Sequence, residues 1–403
     1  RSAQPGIAAR AALDIITAAS VGAADAEKAS ENVAATASDK ALEAHLPRLQ
    51  PRALALRKVV LVNKSTRLQR VGASVLEVGD RLAQRLRDSH DQHSRAVETM
   101  LDMLDKEGVH VSPVSVQDLR PEAVAGADFV MCAGGDGTFL STVAQLPQGV
   151  PVLGINTDPD RSTGALCALS YTDDDVPAIT NAIERLRRGN YELTARRRIA
   201  VSIKPVGGSE YALPTLALND VFVSERNSGR VYACEAMGDS GPVRVRRSSG
   251  LLFCTGTGST ARFRNQMRID TRCVRHILNE ATARGARGDT LSKEVSEAEV
   301  VAIAESWSRR WDCMPDEPRM SFSILEPMVP DCAPRNTSGH ARWMVVRSLG
   351  HNTVLTLDGF YEHPIRYGDE LTIAIGDLEH AVYSVHFPAH DIYLSRRGRT
   401  LRQ

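Results

Sequence analysis

The sequence predicts an α/β amino-terminal domain followed by a mostly antiparallel β domain, and three observations carry that expectation. Between Arg57 and about residue 190, short β-branched apolar runs alternate with longer helical patterns, the spacing of a parallel, Rossmann-like sheet covered by helices on both faces. Beyond Tyr191 the helical periods give way to short alternating strands divided by Gly, Pro and Asn. At 403 residues and 42% hydrophobic content, the chain is long enough to bury two separate cores.

Residues 1–56 are alanine-rich and carry no strand period. Arg1 and Arg10 precede the first acid, Asp14, in the manner of an organellar transit peptide, whereas Asp25, Glu27 and Glu31 favour a surface helix or a disordered tail. KVVLVN, Lys58 to Asn63, reads as the first strand, and a helical pattern runs from about Ser74 to Glu107. Val109 to Val111 and Asp128 to Cys132 are the next strands. GGDGT then opens a helix through Leu140 and Val143, PVLGI (Pro151 to Ile155) is a strand, and Val176 to Arg188 is a helix. RRIAVSIKP, LALNDVFVSE, RVYACEA, VRVRRSSGLLFCTG, RMSFSILEP, NTVLTLDG and ELTIAIG supply the strands of the second domain. The expected division is a tail over 1–56, an α/β domain over 57–190, and a β-rich domain over 191–380 with a charged, helix-prone insertion at 263–310. A carboxyl-terminal tail over 381–403 packs back on the α/β domain.

Composition narrows the function classes. With 49 Lys+Arg against 49 Asp+Glu the formal charge is zero, which argues against a surface built to neutralise nucleic acid or an anionic membrane. No stretch approaches the roughly 18 consecutive apolar residues of a membrane span. The cysteines Cys132, Cys167, Cys234, Cys254, Cys273, Cys313 and Cys332 are odd in number and show no CxxC pair or zinc-type spacing, so free thiols in a reducing compartment are expected. Between Asp239 and Arg275, eight arginines stand against Asp239 and Asp270, and they read as a solvated face. Aromatic residues make up 5%, too few for a base-stacking surface on single-stranded nucleic acid.

The chemistry concentrates in GGDGT, Gly134 to Thr138. Between a buried strand and a helix start, backbone N–H groups and the helix dipole favour an anion, and glycines let a phosphate approach the backbone. Asp136 is the informative residue. A carboxylate inside a phosphate loop repels the ligand unless it binds Mg²⁺ or accepts a proton from an attacking hydroxyl, and both tasks belong to phosphoryl transfer. A tight turn with an aspartate N-cap is the plainer alternative. Lys64 and Arg67 follow the first strand at the carboxyl edge of the sheet, where α/β proteins bind ligands, and Arg161 follows a later strand beside Asp158 and Asp160. These cations suit nucleotide phosphates or surface ion pairs. Asn219 and Asp220 read as the end of an apolar strand, and Thr255, Thr257, Ser259 and Thr260 alternate with Gly256 and Gly258 in a loop that can line a dinucleotide.

GGDGT resembles the loop shared by NAD kinases, diacylglycerol and sphingosine kinases and 6-phosphofructokinases. LALND (Leu216 to Asp220), GLLFCTGTGSTA (Gly250 to Ala261) and LTLDG (Leu355 to Gly359) followed by YGDELTIAIG are similar to motifs of the NAD kinase family, in the family's order. GINTDPDRSTGALC (Gly154 to Cys167), KSTR (Lys64 to Arg67) and RSSGLLFCTGTGS resemble the mitochondrial type. The chain departs from typical bacterial members at Gly256, where they carry Pro, and at Arg262, where they carry Tyr. Ser249 stands where many members have Asp.

The resemblance implies the NAD kinase and diacylglycerol kinase-like fold, with transfer of the γ-phosphoryl of Mg-ATP to the 2′-hydroxyl of the adenosine ribose of NAD. It implies Asp136 as base and metal partner, with Lys64, Arg67, Gly134, Gly135, Gly137, Thr138, Asn156, Arg161, Asn219, Asp220, Thr255 to Ala261, Asp358 and Gly359 as ligand-binding residues. ATP, NAD and Mg²⁺ are the implied cofactors, a homodimer the implied assembly, and the mitochondrion, otherwise the cytoplasm, the implied location. A lipid or sugar kinase with the same loop, or a catalytically silent NAD-binding protein, is the alternative.

Overall fold

The computed structural model describes residues 52–72, 80–172, 176–239, 241–243, 247–284, 295–328 and 337–387. The expectations for residues 1–51 and for residues 388–403 of the carboxyl-terminal tail lie outside this range.

The chain enters the core at β1 (Lys58–Asn63), whose Val59 to Val62 are all buried. Burial on both faces explains the unbroken apolar run. A short α1 (Arg67–Val71) begins at the Thr66 N-cap, which forms a capping box with Gln69. The long α2 (Asp80–Lys106) follows, with Ala96, Met100 and Leu104 buried at the helical period. Next come β2 (His110–Ser115), α3 (Pro121–Val124), β3 (Phe129–Ala133), α4 (Asp136–Val143), β4 (Val152–Asn156), β5 (Leu169–Ser170), α5 (Val176–Arg188) and β6 (Glu192–Arg196). The expected strand at Val109 to Val111 is longer than its apolar residues indicate. It continues through Pro113 because β2, among the described residues, pairs only with β1 and forms an edge, where a residue without an N–H is tolerated.

The second half contributes β7 (Ile199–Lys204), β8 (Tyr211–Ala212), β9 (Asp220–Glu225), β10 (Cys234–Gly238), β11 (Gly241–Val243) and β12 (Gly250–Cys254). Three helices follow, α6 (Arg262–Gln266), α7 (Thr271–Ala283) and α8 (Glu297–Arg309). The chain closes with β13 (Met320–Leu325), β14 (Ser338–Ala341), β15 (Trp343–Ser348), β16 (Thr353–Leu357), β17 (Tyr361–Ile365), β18 (Glu370–Ile375) and β19 (Val382–His386).

These strands form three sheets. The first has the order β2-β1-β3-β4-β19-β6, parallel from β2 to β19, with β5 also on β4 and an antiparallel β6 at the edge. One face packs Val59, Leu61, Phe129 and Leu153 against α2 and α5; the other packs Val60, Val130 and Val152 against α3 and α4. The other two sheets, β11-β10-β15-β18-β7-β8 and β14-β13-β12-β9-β16-β17, are antiparallel. They enclose one core that includes Val201, Tyr232, Phe253, Met344, Leu355 and Ile373. The expected α/β plus antiparallel β class is therefore the observed one. Leu218, from the β-rich half, is buried with the α/β core beside Phe139 and Val382, so the halves meet through apolar contact. Among the described arginines of the expected solvated face, Arg264, Arg272 and Arg275 pair with Asp312, Asp270 and Glu297.

Candidate functional site

The sheet order creates the site. From β1 the chain moves outward to β2, and from β3 it moves the opposite way to β4, so the loops after these two neighbours diverge. A crevice opens at such a switch point outside the carboxyl ends of the strands. A cavity of about 800 Å³ occupies it, lined by Lys64, Arg67, Arg70, Arg85 and Arg161 together with Gly135 to Thr138 and the acids Asp136 and Asp158.

The Gly134–Thr138 loop owes its shape to local packing. Gly135 is the N-cap of α4 in extended conformation, without a side chain to cap the helix. A Cβ on Gly134 would lie 2.4 Å from Thr138 Oγ1 and 2.7 Å from Thr138 Cβ, so Gly134 is needed for close approach, whereas one on Gly135 would meet only the rotatable Ser162 Oγ, at 2.5 Å. Gly137 differs: nothing lies within 4 Å of its missing Cβ, and it faces the cavity. The Asp136 carboxylate does not cap its own helix. It accepts the N–H of Leu166 at 2.7 Å and of Ala165 at 3.1 Å, tying the loop after β4 to the start of α4. Each carboxylate oxygen has two acceptor positions, so these bonds leave one open on each.

Asp158 organises the cations. Its carboxylate accepts from Ser89 Oγ at 2.5 Å and Arg161 at 2.9 Å, and lies 3.6 Å from Lys64 Nζ. Burial works against this charge, but the bonds from Ser89 and Arg161 and the charges of Lys64 and Arg161 outweigh it and hold the carboxyl below its ordinary range. Lys64 is pushed down by burial, with Asp158 acting the other way. Asn156 is buried beneath the loop, donating from Nδ2 to Ser162 O and accepting the N–H of Asp158 at Oδ1. Behind it, His93 bonds Thr157 Oγ1 at 3.0 Å, and burial, with Lys64 nearby, lowers its imidazole to about 4.

The residues expected in the second half form a separate cluster. Asn219 and Asp220 stand at the opening of a strand instead of its end: Ala217 bridges to Ile199, the chain turns, and β9 starts at Asp220. That turn is held by the half-buried Asp358, whose carboxylate accepts the N–H groups of Leu218, Asn219 and Asp220 at 2.7, 2.7 and 3.0 Å. Burial raises this carboxyl to about 6 against the pull of its three donors. Gly359 completes the following turn at φ 75°.

The Thr255–Ala261 loop wraps the same turn. Thr255 N donates to Asn219 O, Thr255 Oγ1 donates to Leu218 O, and Ser259 Oγ donates to Gly256 O. A Cβ on Gly258 would lie 2.0 Å from Asn219 O and one on Gly256 1.7 Å from Met314 O. The Thr255 and Ser259 hydroxyls are thus engaged inside the protein, whereas Thr260 is exposed and Ala261 half-buried. The Asn219 Oδ1 is buried with no partner among the described residues. Asp220 is buried and raised by that burial, opposed by Arg262, whose guanidinium lies 4.0 Å over the Phe222 ring.

The sequence reading missed Ser89, Arg85 and Asp158 in the first cluster and Arg196 between the clusters. Ser89 and Arg85 lie inside a continuous helical pattern that carries no signal of a cavity. Asp158 was visible only as a neighbour of Arg161. Arg196 sits at a strand end and donates to Thr257 Oγ1 across the divide.

A glycine-rich loop at the switch point of a parallel sheet, beside an antiparallel β lobe, defines a two-lobed α/β plus β class with its crevice where such sheets bind ligands. Within that class the chain resembles the NAD kinases. Residues 55–191 match the family model described as the ATP-NAD kinase N-terminal domain. The chain is 32% identical over 279 residues to the protein named NAD kinase 2, mitochondrial, of Homo sapiens, covering 60% of this chain and 61% of that protein. It thus spans about three fifths of that relative's length. It is 29% identical over 387 residues to the Xenopus tropicalis protein of the same name, covering 80% and 89% of the two chains. The solved yeast NADH kinase complexed with NADH shares the fold at a TM-score of 0.50 and 15% identity, covering 86% of this chain and 90% of that one. The expected likeness to NAD kinases, and to the mitochondrial type among them, is borne out.

Proposed function

We propose that the chain is an NAD kinase, transferring the γ-phosphoryl of Mg-ATP to the 2′-hydroxyl of the adenosine ribose of NAD to give NADP. The observation that carries this reading is the position of Asp136, on the rim of a cation-lined cavity with an acceptor position open on each carboxylate oxygen. A ribose hydroxyl is a weak nucleophile near neutral pH and needs a positioned base, while the transferring group needs its charge spread over cations and N–H donors.

In this reading Asp136 takes the hydroxyl proton through its open acceptor positions. Lys64, Arg67 and Arg161 hold the triphosphate, and Gly134, Gly135, Gly137 and Thr138 offer backbone and hydroxyl donors. Asn156 and Asp158 keep the loop and the cations in place. Asn219 and Asp220 take polar groups of NAD, helped by the free Asn219 Oδ1, and the Thr255–Ala261 loop lines the dinucleotide. Asp358 and Gly359 shape the turn that presents Asn219. Asp136 would be the carboxylate that holds Mg²⁺ beside the ATP phosphates, where the ion would neutralise charge on the transferring group.

The domain division at about residue 190, a homodimer and a mitochondrial location belong to the same proposal. The last rests on the relatives' names, and import of the tagged chain into isolated mitochondria tests it. The activity is tested by incubating purified protein with Mg-ATP and either NAD or diacylglycerol. NADP is the expected product. Phosphorylation of lipid but not NAD, or NAD binding without turnover, would contradict the proposal.

A further inference from the structure

Three consecutive arginines, Arg196, Arg197 and Arg198, run through the junction between the lobes, and all are buried. Arg197 and Arg198 are satisfied as structural arginines usually are, by backbone carbonyls: Asp316 O and Gly376 O for the first, His380 O and Val143 O for the second.

Arg196 is different. Its Nε donates to Ser384 Oγ at 2.8 Å on the neighbouring β19, and its terminal nitrogens reach Thr257 Oγ1 at 3.3 Å and His386 Nε2 at 3.4 Å. All three partners are neutral, because burial, with the Arg196 charge next, lowers His386 to about 4. Among the described residues no carboxylate bonds this guanidinium, although its exposure is 7%. A buried charge without an ion partner is costly, and a staple between two strands does not need one. Burial lowers this guanidinium to about 10, with the Asp136 charge acting the other way.

We infer that Arg196 is a positioning residue for the phosphoryl transfer proposed above. Anchored to the α/β sheet by Ser384, it holds the Thr255–Ala261 loop in place through Thr257. The inference rests on the kinase reading and adds a residue to it. Arg196 ties the loop proposed to line the dinucleotide to the sheet that carries the loop proposed to hold phosphate.

The test compares Arg196→Gln, Arg196→Lys and Thr257→Val with the parent, measuring kcat, KM for ATP and NAD, and melting temperature. Arg196→Gln is expected to lower kcat about a hundredfold, the scale of a lost electrostatic donor or of a misplaced reacting group, with KM for ATP within about threefold. Arg196→Lys keeps the charge without the fork and is expected to recover about tenfold of that loss. Thr257→Val, which keeps the buried arginine, is expected to lower kcat about fivefold without changing KM for ATP. It remains informative if Arg196→Gln does not fold. Parental kcat in Thr257→Val, or equal impairment in folded Gln and Lys variants, would overturn the inference. A parent protein that makes no NADP would overturn the kinase reading instead, so the two failures are distinguishable.

Discussion

At the residue scale, the site separates glycines required by packing from one that packing does not require. Gly258 has Asn219 O 2.0 Å from its missing Cβ, so Gly258→Ala forces the backbone of the loop apart and should destabilise the protein by about 1–3 kcal/mol in chemical denaturation, the range of overpacking. Gly137 lies in the first turn of α4 with open space around it, and alanine is the better helix former by up to about 1 kcal/mol. Gly137→Ala should therefore melt no lower than the parent while its KM for ATP rises, about tenfold if the methyl displaces one phosphate contact. An unchanged KM would remove Gly137 from the phosphate site. Asp358 is a third case. Asp358→Ala strands three backbone donors at once and should cost about 3 kcal/mol or more, read as a shift in the denaturation midpoint.

At the element scale, legibility followed periodicity. The strands at Lys58–Asn63 and Phe129–Ala133 and the helix at Val176–Arg188 were readable because burial on both faces gives a continuous apolar run and burial on one face gives a 3.6-residue period. GGDGT was readable as a loop because its position between such a strand and a helix is itself the signal. What the loop packs on was not readable. Gly256, where bacterial NAD kinases carry Pro, is explained by the segment after α8: Met314 O occupies the space beside it, and Cys313 N donates to Ser259 Oγ. That dependence joins positions more than fifty residues apart and leaves no local pattern. The same holds for Ser89, which bonds Asp158 from the middle of α2. Ser89→Ala removes a donor that opposes the burial of Asp158. It should loosen the Lys64 and Arg161 arrangement and raise KM for ATP about threefold to tenfold with little change in melting temperature, measured by initial rates.

At the scale of the whole molecule, two histidines make stability depend on pH. His93 and His386 are each lowered to about 4, chiefly by burial. Their folded values lie below the unfolded value of about 6.5, so the unfolded chain binds the extra protons. Their contribution is complete above about pH 6.5 and is lost as pH falls toward 4, on the order of 3 kcal/mol for His93. Asp358 acts oppositely, since its raised carboxyl favours the fold at low pH and that contribution is lost as pH rises through about 6. The melting temperature should still fall between pH 6.5 and 4.5, and His93→Gln should flatten the fall. An unaltered profile in that variant would contradict the assignment.

The two lobes share an apolar contact at Leu218 and a polar one at Arg196, and the account makes Asp136 the group on which their joint chemistry depends. The most direct measurement is the steady-state rate of NADP formation from Mg-ATP and NAD by the parent and by Asp136→Asn, with dissociation constants for both nucleotides from calorimetry. The account predicts turnover lower by about two orders of magnitude or more in the variant, with both dissociation constants within about threefold. Turnover near that of the parent would contradict it.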